Sequence, residues 1–356
     1  MKKLKVAIIG QGRSGRNIHG DYFHAEDNVN YEVAAVVELA DDRRARAAQE
    51  WPGAQICADY RELFGRTDLD LVVNASFSRD HYPVTKELLK HGFNVLVEKP
   101  MARHYHEAVD LIRTAEENGV RLAVFQQTFL APYYLDTRKI LASGKLGQVL
   151  QVDIAFNGYA RRWDWQTLLC EGAGGAYNTG PHPFGLALDF LDYDPNWQLA
   201  FSRLGTAFTS GDGDDYAKAI LTAPGKPVVD VEICSNDCFS KHKIRILGTR
   251  GCYECDLKHY KMKYWTDEEN EPRPVQRETL RNAEGLPMYC GEKLVTHEEE
   301  GDFSGSPFDR AVATFYDGLY ATLTAGAPLP VPNEKPAQII RLIEMMHTNT
   351  PLPVKF

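Results

Sequence analysis

The length and composition of the chain indicate a globular protein of two domains. It has 356 residues, of which 44% are hydrophobic and 25% are charged, so it can bury a sizeable core. The formal net charge of -9 argues against the phosphate backbone of a nucleic acid as a partner. The apolar runs are strand-sized, too short for a membrane span or a signal-peptide core, so we expect a cytoplasmic protein.

The first motif is a glycine-rich turn that follows an apolar strand. The run from Lys5 to Ile9 breaks into Gly-x-Gly-x-x-Gly, in which the first glycine permits a tight turn and the second lets the backbone approach a pyrophosphate. The third allows close packing of the helix that should follow, whose free N–H groups would bind the phosphates. The turn therefore predicts a dinucleotide site. Its candidate residues are Gly10, Gln11, Gly12, Arg13, Ser14 and Gly15.

A carboxylate ends the second predicted strand and bears on the choice of nucleotide. Glu38 follows the run from Glu32 to Val37 and is placed to accept hydrogen bonds from a ribose. Because it would repel a 2′-phosphate, it favours NAD over NADP. Three arginines follow (Arg43, Arg44 and Arg46), and their spacing indicates the charged face of the next helix.

Strands and helices alternate over residues 1–124, which predicts a doubly wound parallel sheet of the α/β class. Over residues 125–356, strand-like runs follow one another with few helices between them, which predicts a second α/β domain with a mostly antiparallel sheet. Helical spacing returns near Phe308 and again near Ile339, so two helices should close the chain. The charged stretch from Lys258 to Gly301 is expected to be a long loop.

Seven cysteines include two closely spaced pairs, Cys234 with Cys238 and Cys252 with Cys255. Such spacing suggests a zinc site. The second pair falls on a predicted strand, however, where residues three apart point to opposite faces. We therefore expect reduced, structural thiols and no metal.

The tripeptide Glu98-Lys99-Pro100 directly follows a predicted strand of the parallel sheet. The carboxyl ends of such strands face the ligand crevice, so Lys99 should point at the cofactor. Its ammonium group would stabilise negative charge developing on a substrate oxygen as hydride leaves the same carbon.

Taken in order along the chain, these motifs resemble those of the Gfo/Idh/MocA family (glucose–fructose oxidoreductase and inositol dehydrogenase). The stretch from Asn74 to His81 is similar to the family's loop over the nicotinamide ribose and diphosphate, and the stretch from Gly144 to Val149 to the entry of its second sheet. The stretch from Gly174 to His182 resembles the family's Gly-Gly-Gly-x-x-x-Asp-x-Gly-x-His segment, with Asn178 at the position of the aspartate.

The resemblance implies a Rossmann domain, an open antiparallel sheet that makes dimer or tetramer contacts, and nicotinamide redox chemistry on sugars or cyclitols. It makes Lys99 and His182 the catalytic pair, with His182 accepting the hydroxyl proton, and places Asn178 beside them. Because Asn178 is neutral, His182 should become charged less readily, or Asn178 instead hydrogen-bonds a substrate hydroxyl. Gly185 also stands where the family often has an aspartate. The resemblance adds further nucleotide contacts, at Ser76, Ser78, His81, Glu98 and Lys99.

Aromatic and polar residues between the two predicted domains are candidates for the substrate site. A sugar offers C–H faces and a rim of hydroxyls, which suit Arg162, Trp163 and Asp164, joined by Asn178 and His182. Tyr133 and Tyr134 are further candidates.

The leading prediction is thus an NAD-dependent dehydrogenase acting on a secondary alcohol of a sugar, glycoside or cyclitol. A redox-neutral, NAD-dependent glycosidase is one alternative. A nucleotide-binding sensor without catalysis is another, although it would have no need of both Lys99 and His182.

Overall fold

The computed structural model describes residues 3–240 and 242–353 and builds them around two β-sheets. The first is a six-stranded sheet in which every pair is parallel, with the order β3-β2-β1-β4-β5-β6. Its strands are β1 (Leu4–Ile9), β2 (Tyr31–Val37), β3 (Gln55–Cys57), β4 (Leu71–Asn74), β5 (Val95–Val97) and β6 (Leu122–Val124). The predicted doubly wound sheet is confirmed, and only the short edge strand β3 was not expected.

Helices cover both faces of this sheet, which is why its central strands are continuous apolar runs. The helix after the glycine turn is π-wound over Gly15–Gly20 and continues as α1 (Asp21–His24). The others are α2 (Asp41–Glu50), α3 (His81–Lys90) and α4 (Tyr105–Glu117). The strand order reverses between β1 and β4, so the loops that leave these two strands flank the crevice where a nucleotide binds.

The second sheet has eight strands in the order β14-β13-β12-β11-β7-β10-β9-β8. Only the pair of β7 and β10 is parallel, as the prediction of a mostly antiparallel sheet requires. One face is buried, as the alternation of buried and half-buried residues along β9 shows. The strands are β7 (Val149–Ala155), β8 (Gln198–Gly205), β9 (Tyr216–Thr222), β10 (Val228–Cys234), β11 (Ile244–Gly248), β12 (Gly251–Cys255), β13 (His259–Tyr264) and β14 (His297–Asp302).

The prediction of an uninterrupted loop from Lys258 to Gly301 was wrong at both ends, where β13 and β14 pair with each other. On β13, Met262 faces the core while Lys261 and Lys263 face outward. The outward lysines are matched by acidic residues across the strands, as in the 2.7 Å contact of Lys263 with Glu298. Cross-strand pairing therefore stabilises a strand whose composition favours solvent. The irregular segment is limited to residues 265–296.

The helices of the second half pack on its sheet and also reach the first domain. They are α5 (Pro132–Ala142), α6 (Gly175–Asn178), α7 (Pro181–Phe190), α8 (Pro307–Ala325) and α9 (Glu334–Asn349). On α8, the carbonyl of Tyr316 accepts a 2.8 Å hydrogen bond from the hydroxyl of Tyr31 on β2. On α9, Ala337 and Ile340 are buried in the core of the parallel sheet. The two closing helices thus hold the two sheets together.

Cys234 lies on β10 and the other closely spaced pair on β12, with two strands between them. Within β12, Cys255 is buried whereas Cys252 is exposed, as expected for residues on opposite faces. In the described part of the chain, no cluster of three or more His, Cys, Asp or Glu residues is arranged to hold a metal ion. No helix in residues 3–240 or 242–353 combines the length and apolarity needed to cross a membrane.

Candidate active site

The glycine turn leaves β1 at the carboxyl edge of the parallel sheet and touches the loop that leaves β4. Gly10 has a φ of +90°, and a Cβ atom there would lie 2.4 Å from the carbonyl oxygen of Ala75. A Cβ on Gly15 would lie 1.9 Å from the carbonyl oxygen of Gly10. Only glycine fits at these two positions, since any side chain would push the turn out of place.

At Gly12, unlike at Gly10 and Gly15, the space that a Cβ atom would occupy is open. A Cβ atom on Gly12 would meet only the guanidinium of Arg43, at 4.0 Å. Beside it, Arg13 is exposed and has no hydrogen-bond partner among the described residues, while Ser14 immediately precedes the helix. An open glycine, a free guanidinium and a helix N-terminus are the features that a pyrophosphate requires.

Glu38 lies directly beside this turn, at the end of β2. Its Oε2 accepts a 2.7 Å hydrogen bond from the backbone N–H of Gln11, and its Oε1 accepts one of 3.0 Å from Ala40. The side chain is 7% exposed, so it is fixed in place with acceptor capacity remaining. The residues present therefore fit a nicotinamide dinucleotide whose ribose faces Glu38.

The three arginines of α2 do more than form the solvated helix face expected from the sequence. The guanidinium of Arg44 donates to the carbonyl oxygens of Glu38 and Leu39, at 2.7 and 2.6 Å. That of Arg46 donates to the carbonyl of Gln11 at 3.2 Å. Arg43 is 3.7 Å from Glu38 Oε2. Two arginines thus stabilise the loops around the turn, and the third lies beside Glu38.

The loop after β4 is held by side chains behind it. Ser76 donates a 2.7 Å hydrogen bond to Asn74, and Ser78 begins a 3-10 helix, Ser78–Asp80. The nitrogens of His81 lie 2.7 Å from the carbonyl of Pro100 and 3.2 Å from that of Ser76. Because His81 is 2% exposed and engaged on both sides, its side chain holds two loops together.

Glu98 is likewise buried and engaged. Its carboxylate is 3% exposed, accepts the backbone N–H of Lys99 at 3.0 Å, and lies 3.2 Å from Nε2 of His19. Burial alone would raise its pKa, but the contact with His19 and the electrostatic interactions with His19, Lys99 and His81 outweigh burial and lower the pKa to about 2. Glu98 is therefore a buried anion that supports Lys99 from behind.

The second ring nitrogen of His19 links Glu98 to helix α8. Its Nδ1 is 2.7 Å from the hydroxyl of Tyr316 on α8, and the ring is completely buried. The sequence analysis did not identify His19, because its partners lie 79 and 297 residues away.

Lys99 crosses from the parallel sheet to the second domain. Its Nζ donates a 2.9 Å hydrogen bond to the carbonyl oxygen of Asn178 at the end of α6. Burial lowers its pKa, and the charges of Arg13 and Arg162 act in the same direction, while Glu98 opposes them. Lys99 thus stands between the glycine turn and the loop predicted to bind substrate.

His182 lies on the first turn of α7, where the charge of Lys99 acts on it. Burial, and then the positive charge of Lys99, lower its pKa to about 3, so the imidazole is neutral near pH 7. Its Nδ1 is 2.5 Å from Oγ1 of Thr128, which sits in a 3-10 helix, Gln127–Leu130. Its Nε2 has no hydrogen-bond partner among the described residues and is the nitrogen left for a substrate.

The side chain of Asn178 does not reach His182. Its amide donates a 2.7 Å hydrogen bond to the carbonyl of Gln166, and its contribution beside Lys99 is its own backbone carbonyl. Asn178 thus contacts Lys99 through its backbone carbonyl, and its side chain is held by Gln166. Gln166, which the sequence analysis did not assign, links this point to the substrate loop by accepting from Arg162.

The predicted substrate residues form one exposed segment at this link. Arg162 donates to Oδ2 of Asp164 through Nε at 3.0 Å and through a second nitrogen at 2.6 Å. Trp163 is 84% exposed, so its ring is free to meet a ligand. By contrast, Tyr133 and Tyr134 are 3% and 2% exposed in the core, and their prediction as substrate contacts was wrong.

Two further contacts close the same side of the cleft between the domains. The ring of Phe77, from the loop after β4, meets the ring of Trp165 edge-on at 5.0 Å. Next to it, Arg79 donates a 2.7 Å hydrogen bond to Glu171 in the second domain. The nucleotide loop and the substrate loop are thus in direct contact.

A parallel sheet in this strand order, with this turn and carboxylate, defines an NAD-binding Rossmann domain joined to a second sheet that completes the site. Residues 4–126 match the model for the oxidoreductase family with an NAD-binding Rossmann fold, and residues 134–254 match the model for the GFO/IDH/MocA C-terminal domain. The chain belongs to the GFO/IDH/MocA family and is an NAD(P)-binding oxidoreductase.

Its similarity to known members extends over the whole chain at low identity. It is 25% identical over 352 residues to the uncharacterized oxidoreductase YdgJ of Escherichia coli, covering 96% of this chain and 95% of that protein. It is 26% identical over 350 residues to scyllo-inositol 2-dehydrogenase (NADP(+)) IolW of Bacillus subtilis, covering 96% and 92%. Among solved structures, GenD2 from gentamicin A biosynthesis in complex with NAD is similar with a TM-score of 0.76 at 18% identity, covering 98% and 94%.

Proposed function

We propose that the protein is an NAD-dependent dehydrogenase that interconverts a secondary alcohol and a ketone of a sugar, glycoside or cyclitol. The observation that carries the proposal is that Lys99, at the carboxyl end of β5, donates a hydrogen bond to the carbonyl of Asn178 and that its charge acts on His182. One side chain comes from the nucleotide domain and the other from the second domain. A protein that only senses nucleotide gains nothing from placing an ammonium and an imidazole there.

NAD, when bound, accepts or returns a hydride at its nicotinamide ring. The side chains of the chain supply the rest of the reaction. Lys99 donates a hydrogen bond to the substrate oxygen and stabilises negative charge that develops on it. His182 accepts the hydroxyl proton at Nε2 during oxidation and returns it during reduction. Its low pKa means that the imidazole is neutral and ready to accept at pH 7.

The substrate class rests on the segment beside this pair. Trp163 offers an exposed aromatic face to the C–H surface of a ring, and Arg162 and Asp164 offer donors and acceptors to its hydroxyls. Two relatives support a polyol: IolW, named above, and an inositol 2-dehydrogenase of Gluconacetobacter diazotrophicus that is 31% identical over 42% of this chain. We expect a homodimer or homotetramer.

The nucleotide preference rests on Glu38. A fixed carboxylate beside the turn accepts hydrogen bonds from ribose hydroxyls and repels a 2′-phosphate, which favours NAD.

The test is nicotinamide absorbance of the purified protein with NAD and then NADP, across inositols, hexoses, pentoses and glycosides. Lys99→Ala and His182→Ala are compared with Lys90→Ala, an exposed lysine at the end of α3. Reduction on one group of substrates should fall by about 100-fold or more in the first two variants and persist in the third. Wild-type turnover in both site variants would refute the assignment.

Product analysis on the same panel separates a redox-neutral reaction from a net dehydrogenation. This control is needed because one relative, 25% identical over 272 residues, is named 2,7-anhydro-N-acetylneuraminate hydratase. A glycoside consumed with catalytic amounts of NAD and no net reduction would replace the dehydrogenase with the redox-neutral alternative.

A further inference from the structure

The imidazole of His182 has an uncharged partner. Thr128 Oγ1 lies 2.5 Å from Nδ1 and is the one hydrogen-bond partner that the described residues give this ring. Thr128 is 8% exposed and comes from the segment that links the two domains. Two residues earlier in the chain, the side-chain amide of Gln126 donates to the carbonyl of Pro181. The segment therefore holds the start of α7 at two adjacent points.

Among the described residues, no carboxylate is hydrogen-bonded to the ring of His182. The side chain of Asn178 is turned to Gln166. Gly185, one turn along α7 from His182, has no side chain, and a Cβ atom there would come within 2.9 Å of Ile339 and 3.0 Å of the ring of Phe129. A side chain at that position would require Ile339 and Phe129 to shift. The orientation of the imidazole consequently depends on a hydroxyl.

We propose that Thr128 is a positioning residue that fixes the ring of His182, so that Nε2 faces the reacting oxygen, and that it serves both directions of the proposed reaction. The inference rests on the proposed function, because it concerns the same proton.

A hydroxyl accepts a hydrogen bond as a carboxylate does, but it carries no charge. During oxidation Nδ1–H donates to Oγ1 while the lone pair of Nε2 accepts the substrate's hydroxyl proton, which gives an imidazolium with a hydrogen on both nitrogens. During reduction the imidazolium returns the Nε2 proton to the substrate oxygen, and Nδ1–H still donates to Oγ1. A carboxylate in the place of Thr128 would stabilise the imidazolium by its charge. Thr128 thus orients the ring in both protonation states without adding a charge beside it.

The experiment compares Thr128→Val, which keeps the shape and removes the hydroxyl, with Thr128→Ser, which keeps the hydroxyl. Thr114→Val is the matched control, because Thr114 is also buried and its hydroxyl donates a single 2.7 Å hydrogen bond, to Asp110 on α4. Each protein is titrated with NAD to count folded nucleotide sites, and kcat and KM are then measured with the substrate found for the wild type.

In Thr128→Val we expect kcat per NAD site to fall by about 10- to 100-fold with little change in KM, the loss typical of a misplaced catalytic group. In Thr128→Ser, kcat should stay within about threefold of wild type, and Thr114→Val should behave like the wild type.

A wild-type kcat in Thr128→Val would overturn the inference while leaving the proposed function intact. So would a loss in Thr128→Ser as large as that in Thr128→Val, since the hydroxyl would then not be the cause. Absence of turnover by the wild type on every substrate would overturn the proposed function, and the inference with it.

Discussion

Replacing Asp214 by Asn should make the stability of the protein less sensitive to pH. Asp214 is 3% exposed and packs under α6, which carries Asn178 and thereby the acceptor for Lys99. Its Oδ2 accepts a 2.7 Å hydrogen bond from the backbone N–H of Ala176, whereas its Oδ1 is buried with no partner among the described residues. Burial, opposed by its backbone hydrogen bonds and aided by Asp215, raises its pKa from 3.8 to about 7.

The sign of the effect follows from proton binding. Between pH 3.8 and about 7 the folded state holds a proton on Asp214 that the unfolded state has lost, so the free energy of unfolding falls as pH rises through this window. Over three pH units, at about 1.4 kcal/mol per unit, the full effect is about 4 kcal/mol. Between pH 5 and pH 8 the loss is about 3 kcal/mol, because ionisation is complete slightly above pH 7. Asn cannot ionise, so its variant should not show this loss.

Urea unfolding, followed by tryptophan fluorescence at pH 5, 6, 7 and 8, gives the free energy of unfolding of the wild type and of Asp214→Asn. Asn keeps an acceptor for Ala176 but leaves an unpaired amide group, which costs about 1–3 kcal/mol at every pH. The test is therefore whether the difference in the free energy of unfolding between wild type and variant changes with pH. Asp212→Asn, an exposed neighbour that accepts from the backbone of Leu169, is the control. Parallel stability curves for wild type and Asp214→Asn would refute the reasoning.

Two further predictions concern the nucleotide and are checked by titration with NAD and NADP. Glu38→Gln retains the acceptor for Gln11 and removes the charge beside Arg43, so the ratio of NADP to NAD affinity should rise by about tenfold or more; an unchanged ratio would mean that Glu38 does not face the ribose. Gly15→Ala places a Cβ atom 1.9 Å from a carbonyl of the turn, so NAD affinity should fall by about tenfold or more. The control Gly53→Ala, whose Cβ meets nothing within 4 Å, should bind NAD as the wild type does. Equal binding by both variants would contradict the steric argument.

The sequence predicted those parts of the fold in which one strand or helix carries its own signal. The central strands of the parallel sheet are uninterrupted apolar runs, and β9 alternates strictly, so both were found with bounds close to those observed. The strands β13 and β14 were not found, because their outward residues are charged and their pairing is visible only across the sheet. The 2.7 Å contact of Lys263 with Glu298 joins residues 35 apart, which no local window compares.

The residues of the candidate site also divide into those with a local signal in the sequence and those without one. The glycine turn, Glu38 and Lys99 could be proposed because each follows a strand in a local pattern with chemical meaning. His182 could be proposed because the segment that contains it resembles that of a known family. Thr128 could not, since a threonine has no catalytic signature and its importance comes from a partner 54 residues away.

The pKa of His182 shows how a correct direction can be reached through an incomplete cause. The absence of an aspartate at Asn178 predicts that the imidazole becomes charged less readily, and its pKa is indeed lowered, to about 3. The amide of Asn178 donates to Gln166, however, and the shift comes first from burial and then from the charge of Lys99. Introducing a carboxylate at Asn178 would therefore act on Gln166 and Lys99 before it acted on His182.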